Sequence, residues 1–253
     1  MRLGAVPYLN VLPLIHSLNP QPRLEVPARL VDLLEGGELD VALAPVVALF
    51  KNKEWKLVDG LSISTQKAAG SVRLTFERPG INFQNIRQIC LGTESRTSVL
   101  LLQTLLRFKY GRNLEEIRFE RPLPYGEAEG RLLIGDQALG LFHHTPNVSS
   151  VDLGLEWTSW TKLPFVFAAW ISRHPSLPPE LVQKLKKCLE EGLKDLDSLI
   201  ERQKDFSKEF LRKYFTENLF YGLGKAEKEG VILFHSYAVK LGEAPEDWKL
   251  SVI

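Results

Sequence analysis

Cysteine is nearly absent from the chain: only Cys90 and Cys188 occur among its 253 residues. Both lie in segments with apolar periodicity, where a thiol behaves as a small buried hydrophobe. We therefore expect two free, buried cysteines and no structural disulfide. A metal site needs a denser cluster of thiols, imidazoles or carboxylates, so none is predicted.

A charge excess and a long hydrophobic run are absent as well. The 32 Lys and Arg residues nearly balance 31 Asp and Glu residues, which favours neither nucleic acid nor an anionic membrane as a partner. No stretch approaches the roughly 18 unbroken apolar residues of a membrane span. The apolar residues 1–15 are interrupted by Pro7, Asn10 and Pro13 and precede no small-residue cleavage pattern, so we expect a cytoplasmic protein rather than a secreted one. Nothing in the sequence indicates an oligomeric state.

Strand-like and helix-like segments alternate from the start of the chain. Apolar runs predict strands in "RLGAV", "LDVALAP", "KLVDGLSIS", "AAGSVRLTFE", "QICLG", "IRFER", "GRLLIGD" and "FVFAAWIS". Helical spacing predicts helices in "PARLVDLLEGG", "VVALFKN" and "SVLLLQTLLRFKYG", and then in three segments near 179–204, 206–220 and 223–241. This alternation predicts an α/β fold with mostly parallel sheets between helices.

Polar loops follow several of the predicted strands. They are "PYLN" after the first strand, "AP" after the second, "TESRTS" after the strand at Cys90, and "GDQAL" after "LLI". In open α/β sheets, ligands bind beyond the carboxyl ends of the strands. We therefore expect the four loops to converge on one cleft.

The "TESRTS" loop has more hydroxyl groups than a helix start requires. Thr93, Ser95, Thr97 and Ser98 surround Arg96 just before a strongly apolar helical pattern. One hydroxyl is enough to cap a helix, and capping alone is one interpretation. The other is anion binding, because a helix N-terminus offers unpaired N–H groups and a partial positive charge. The pattern is not a phosphate loop, since GxxxxGK[ST] is absent.

Two further pairs of polar residues lie on or beside strands. Ser71 and Arg73 alternate with apolar residues and share one strand face, which suits either solvent or a carboxylate. Tyr8 and Asn10 follow the first strand, where an asparagine also serves ordinary turns.

The "GDQAL" loop offers the last candidates. Gly135 and Asp136 follow an apolar strand, and the aspartate suits either a helix cap or a bond to a ligand hydroxyl. His143 and His144 lie near that loop, yet neighbouring histidines there are typical of the surface. No Ser-His-Asp, paired-carboxylate or metal-ligand spacing is present.

The motifs together resemble chorismate dehydratases of the futalosine menaquinone pathway. That family shares, in this order, "GAVPYLNVLPL", "GSVRL", "LGTESRTSVLLLQTLL", "LLIGDQAL" and "LPFVFAAW". The resemblance implies a two-lobed type II periplasmic-binding-protein-like fold with a helical C-terminal tail. It places residues 1–87 and 169–253 in one lobe and 88–167 in the other, with "SVRLTFE" and "LPFVFAAW" leading through the crossings.

The resemblance also implies a reaction, the loss of water from chorismate to give 3-[(1-carboxyvinyl)oxy]benzoate without a cofactor or a metal. It assigns Asn10 and Ser71 to the reacting ring as catalytic residues. Substrate binding falls to Tyr8, Arg73, Thr93, Ser95, Arg96, Thr97, Ser98, Gly135 and Asp136. No protein base stands out, so one hypothesis is that a substrate carboxylate takes the proton.

Two other functions suit the same pattern. A related enzyme, 1,4-dihydroxy-6-naphthoate synthase, has a similar fold, but an "SPCPND"-like first loop is expected there in place of "PYLNVLPL". A non-catalytic binding protein or sensor for a small anion would use the same two-lobed cleft.

Overall fold

Two five-stranded sheets form the framework of the protein. The computed structural model describes residues 1–92, 96–120, 124 and 126–253. Its strands are β1 (Leu3–Ala5), β2 (Arg23–Leu24), β3 (Val41–Pro45), β4 (Lys56–Thr65), β5 (Val72–Phe76), β6 (Gln88–Leu91), β7 (Arg118–Glu120), β8 (Gly130–Ile134), β9 (Ser150–Asp152) and β10 (Phe165–Ser172). The first sheet has the order β2-β1-β3-β10-β4 and the second the order β7-β6-β8-β5-β9.

The two sheets share one pattern of strand directions. In the first, β1 is parallel to β2 and β3, while β10 is antiparallel to β3 and β4. In the second, β6 is parallel to β7 and β8, while β5 is antiparallel to β8 and β9. One strand in each sheet therefore runs against the other four, and it is the strand that arrives from the opposite sheet. The predicted α/β fold with mostly parallel sheets is confirmed, and the sheets are mixed.

Helices cover both sheets. They are α1 (Leu12–Ile15), α2 (Pro27–Glu35), α3 (Ala48–Lys51), α4 (Arg96–Thr104), α5 (Gly135–His144), α6 (Leu153–Thr161), α7 (Pro179–Lys194), α8 (Leu196–Glu201), α9 (Lys208–Lys213) and α10 (Lys225–Lys240). Two of them continue as π-helical turns, α4 over Leu105–Lys109 and α9 over Tyr214–Asn218. The predicted helical tail is confirmed as α7 to α10.

Local chemistry explains the limits of two helices. Pro27 occupies the first turn of α2, where its missing N–H is not needed, and the helix ends before Gly36 and Gly37, the latter at φ +71°. The start of α6 was not predicted, although Asp152 caps it by accepting a hydrogen bond from the Leu155 amide at 3.0 Å. A single aspartate in a mixed segment gives too weak a sequence signal for a helix start.

The chain changes sheet twice, in residues 66–71 and 153–164. Strand β5 is already hydrogen-bonded into the second sheet, so the first crossing precedes the "SVRLTFE" segment. Strand β10 is already part of the first sheet. The resemblance implies lobe limits at 87/88 and 167–169, and these remain a prediction. The chain passes from one sheet to the other before each of these limits.

A cluster of aromatic rings joins the C-terminal tail to the first sheet. Trp157 on α6 packs edge-on against Phe165 of β10 and Phe234 of α10, with ring centroids 5.3 and 5.7 Å apart. Cys90 and Cys188 are buried thiols, as predicted, and Cys90 Sγ accepts a hydrogen bond from Arg131 at 2.9 Å. Over the residues that the structure describes, no helix has the length and apolarity to span a bilayer.

Close packing of α7 on α1 gives a test of this arrangement. A Cβ atom at Gly192 would lie 2.2 Å from the Pro13 carbonyl oxygen, closer than any real contact. Alanine normally stabilises a helix relative to glycine, but here we expect Gly192→Ala to lower the free energy of unfolding by about 2 kcal/mol through overpacking. Urea unfolding measures the change.

Gly140 is the matched control, because it lies within α5 and its Cβ would meet nothing within 4 Å. Gly140→Ala is expected to leave stability unchanged or to raise it by up to about 1 kcal/mol. Equal behaviour of the two variants would contradict the packing of α1 against α7.

Candidate active site

The predicted strand-end loops meet in one cleft. The cleft encloses about 560 Å³ including its open mouth. It is lined by Val6, Tyr8, Asn10, Pro27, Pro45, Ile63, Ser71, Val72, Ser98, Ile134, Gly135, Phe167, Ala168 and Leu219. Each of the four loops contributes at least one of these residues, which confirms their predicted convergence.

Asn10 and Ser71, the predicted catalytic pair, are held from behind by two buried tyrosines. The Tyr214 hydroxyl donates a hydrogen bond to Ser71 Oγ at 2.9 Å, and the Asn10 side chain bonds to the same phenol. The Tyr221 hydroxyl donates to the Asn10 carbonyl oxygen at 3.0 Å. Asn10 Oδ1 is buried and has no hydrogen-bond partner among the described residues, so it is an acceptor open to a ligand donor.

Burial controls the ionisation of both phenols. It raises the pKa of Tyr214 well above the usual tyrosine value, and the Asp136 carboxylate raises it further, against the opposing hydrogen bonds of Ser71 and Asn10. Burial likewise raises the pKa of Tyr221. Both tyrosines are therefore neutral hydrogen-bond donors at any working pH.

Asp136 connects the two sides of the cleft. Its Oδ1 accepts a hydrogen bond from the Leu9 amide at 3.2 Å, which joins the start of α5 to the loop after β1. The neighbouring Gly135 has φ +60°, and a Cβ there would lie 3.6 Å from the Tyr8 ring. Asp136 thus has a protein partner, and its role in ligand binding remains a prediction.

Arg73 lies within the second sheet and does not appear among the lining residues of the cleft. Its guanidinium donates to Ser150 Oγ at 2.9 and 3.2 Å, lies 3.6 Å from Asp152 and stacks on the Phe142 ring. Burial lowers its pKa, and the Asp152 charge opposes this. These contacts support the sheet, and a role for Arg73 in ligand binding remains a prediction.

The described residues of the hydroxyl-rich loop lie in different surroundings. Ser98 lines the cleft, while Thr97 is buried and its Oγ1 has no partner in the described part of the chain. Arg96 is exposed and lines a neighbouring cavity of about 310 Å³ that shares Pro27 and Pro45 with the cleft. The predicted residues Thr93 and Ser95 lie outside the described residues. Carboxylate binding by this loop remains a prediction.

Asp152 organises the first crossing, although no motif or spacing in the sequence points to it. Its buried carboxylate accepts hydrogen bonds from the amides of Ala69 at 2.9 Å and Gly70 at 2.7 Å, as well as from Leu155. Ser71 follows directly, so this carboxylate fixes where the serine enters the cleft. Tyr214 was missed for a similar reason, because no local spacing relates residue 214 to residue 71.

The described lining of the cleft is uncharged. It offers hydroxyl, amide and phenol groups on an apolar surface, and no Asp, Glu, His, Lys or Arg occurs among those residues. His143 accepts a hydrogen bond from the Ser207 amide, and His144 is exposed, so neither lines the cleft. Such a surface orients a small polar ligand but supplies no strong base from the described residues.

The fold is that of periplasmic binding proteins. A solved structure from Archaeoglobus fulgidus has a TM-score of 0.72 at 14% identity and covers 95% of this chain and 97% of its own. The periplasmic aliphatic sulphonate binding protein of Escherichia coli has a TM-score of 0.69 at 12% identity, covering 100% and 93%. At such identities the likeness shows the fold alone, which is the predicted two-lobed, periplasmic-binding-protein-like class.

Sequence comparison then identifies the family. The family described as menaquinone biosynthesis matches residues 1–240. The chorismate dehydratase of Thermus thermophilus is 34% identical over 226 residues, which is 79% of this chain and 80% of that protein. The chain belongs to this menaquinone biosynthesis family, and the resemblance inferred from its motifs is confirmed.

The Asp152 carboxylate is the testable element of the site's scaffold. We expect Asp152→Ala to lower the free energy of unfolding by about 3 kcal/mol, because it leaves buried amides without an acceptor. Denaturant unfolding measures this loss. The control is Asp197→Ala, which removes an exposed ion pair with Arg212 and should change stability little. Similar losses for both variants would contradict the role given to Asp152.

Proposed function

We propose that this protein is a chorismate dehydratase, a carbon–oxygen lyase of the hydro-lyase class that acts in the futalosine route to menaquinone. The observation that carries the proposal is the 34% identity to a chorismate dehydratase over 79% of the chain. The cleft supports it, because Asn10 and Ser71 lie together there at the ends of two different strands. The cytoplasmic location expected from the sequence is part of the proposal.

The proposed reaction is a redox-neutral elimination. A proton leaves the ring carbon that bears the enolpyruvyl ether, hydroxide leaves the neighbouring carbon, and the ring becomes aromatic. Because aromatisation supplies driving force and no oxidation state changes overall, the protein's task is to orient the substrate and assist proton transfer. The proposal therefore requires no redox cofactor.

Asn10 and Ser71 orient the reacting ring in this proposal. The unpartnered Asn10 Oδ1 accepts a hydrogen bond from the substrate, and the Ser71 hydroxyl donates to the departing hydroxyl group. Ser98 and the start of α4 offer donors to a substrate carboxylate, since a helix N-terminus favours negative charge.

The substrate supplies its own base in this proposal. No carboxylate or imidazole occurs in the described lining, and the nearby Asp136 is bonded to the Leu9 amide. The enolpyruvyl carboxylate lies close to the ring carbon that loses the proton. It takes that proton and passes it to the departing hydroxide, so that water and the benzoate product leave together.

A binding or sensing function is the second candidate. The Escherichia coli sulphonate binding protein shares the fold over the whole of this chain. An uncharged cleft of polar donors suits reversible binding as well as elimination. The two functions differ in one respect, which is whether the bound compound is converted.

The direct test is incubation of the purified protein with chorismate, with the products separated and identified by mass. We expect conversion to 3-[(1-carboxyvinyl)oxy]benzoate. Asn10→Ala and Ser71→Ala should each lower kcat by about 100-fold or more, since both orient the reacting groups. Chorismate binding without conversion would support the sensor, and no binding would contradict both functions.

Asp136→Asn tests the source of the base. Asparagine keeps an oxygen for the Leu9 amide but cannot take a proton at neutral pH, so we expect kcat within about tenfold of the original. His143→Gln, which alters the other nearby candidate, should change kcat no more. Loss of turnover with intact chorismate binding, in either variant, would show that the protein supplies the base.

A further inference from the structure

Tyr214 stands directly behind Ser71 and outside the cleft lining. It is 2% exposed, and its hydroxyl donates to Ser71 Oγ at 2.9 Å. The same phenol bonds to the Asn10 side chain, whose Nδ2 is the donor available on that amide. One phenol thus touches both residues of the proposed catalytic pair without lining the cleft itself.

The hydrogen bond from Tyr214 bears on the direction of the serine proton. The Tyr214 hydroxyl donates to Ser71 Oγ at 2.9 Å, and the Asn10 side chain bonds to the same phenol. Because Ser71 Oγ already accepts a hydrogen bond from behind, the Ser71 proton points away from Tyr214 and toward the cleft. Successive hydroxyls in such a chain also polarise one another, which strengthens the last donor.

We propose that Tyr214 is a positioning residue that directs the Ser71 hydroxyl proton, and the Asn10 amide, toward the leaving hydroxyl of the substrate. This inference rests on the proposed dehydratase function. Tyr214 acts through Ser71 and Asn10 and does not itself touch the reacting atoms.

The π-helical turn places the phenol where this role requires it. The Leu219 amide donates to the Tyr214 carbonyl, and Asn218 Nδ2 donates to the Ala68 carbonyl oxygen at 3.0 Å. A Cβ at Gly70, which has φ +74°, would lie 3.4 Å from the Tyr214 ring and 3.2 Å from Asn218. The turn therefore packs directly on the crossing segment before Ser71. π-Turns inside helices are frequent at functional sites.

Tyr214 remains a neutral donor and does not act as the base. Burial raises its pKa well above the normal tyrosine value, with Asp136 and Asp152 adding to the effect. A phenol that stays protonated near neutral pH keeps its donor bond to Ser71 there.

A double-mutant cycle with chorismate as the substrate tests the inference. Tyr214→Phe should lower kcat about 10- to 100-fold with KM changed less than about threefold, because only the direction of the donors is lost. In the Ser71→Ala background, Tyr214→Phe should lower kcat by no more than about threefold, since its main target is absent. Equal losses in both backgrounds would overturn the inference.

Tyr110→Phe is the matched control. Tyr110, like Tyr214, is a phenol with a raised pKa, but it is only partly buried and bonds to Glu156, away from the cleft. It should lower thermal stability without changing kcat. Incorporation of 3-fluorotyrosine at position 214 retains the hydroxyl and should keep kcat within about threefold, which serves as the test if Tyr214→Phe does not fold. A fluorotyrosine variant as slow as Ser71→Ala would contradict the inference.

The outcomes distinguish a failure of this inference from a failure of the proposed dehydratase function. If the unaltered protein does not convert chorismate, the dehydratase proposal fails, and this inference fails with it. If it does convert chorismate and Tyr214→Phe is as active as the unaltered protein, only the role of Tyr214 fails.

Discussion

The Asp152 carboxylate is the interaction on which the geometry of the cleft depends. It holds the amides of Ala69 and Gly70 at the crossing between the sheets, and the next residue is Ser71. The π-helical turn after α9 contacts the same crossing segment from the other side, through hydrogen bonds from Asn218 to Ala68 and from Tyr214 to Ser71. A residue at the end of a flexible crossing would be a poor place for the catalytic hydroxyl that we propose. Because the crossing is held from both sides, Ser71 has a defined position relative to both sheets.

The uncharged lining is consistent with a substrate that provides its own base. A cation paired with the basic carboxylate would lower the carboxylate's pKa and weaken it as a proton acceptor. Hydroxyl and amide donors hold an anion in place with a smaller effect on its basicity. In the described residues, the charged candidates lie outside the lining: Arg73 bonds to Ser150, and Arg96 lines the adjacent cavity. In the proposed reaction, neutral donors would therefore hold the substrate carboxylate in place and leave it basic enough to accept the proton.

The sequence was most informative where function depends on local pattern. Strand-end loops are visible as polar residues after apolar runs, and parallel strands bring those loops to one edge. Tyr8, Asn10, Ser98 and Gly135 accordingly lie together in the lining of the cleft. Tyr214 and Asp152 were missed, because their importance arises from contacts with Ser71 and Gly70 across 143 and 82 residues of chain. For Arg73, the sequence indicated a candidate residue but not its surroundings. Its strand face was identified, but burial beside Ser150 and Phe142 depends on α5 and β9, whose packing no local pattern specifies.

The same two-lobed framework serves binding proteins and this family, so the difference must lie in a few side chains. A binding protein needs donors that match the ground state of its ligand. An elimination also needs donors aimed at the group that departs, at the moment when charge develops on it. In the proposed reaction, a serine bonded to a buried phenol would meet that second requirement, because its orientation is set before the ligand arrives. The C-terminal segment supports both cleft residues from behind, because Tyr214 bonds to the Ser71 hydroxyl and Tyr221 to the Asn10 carbonyl.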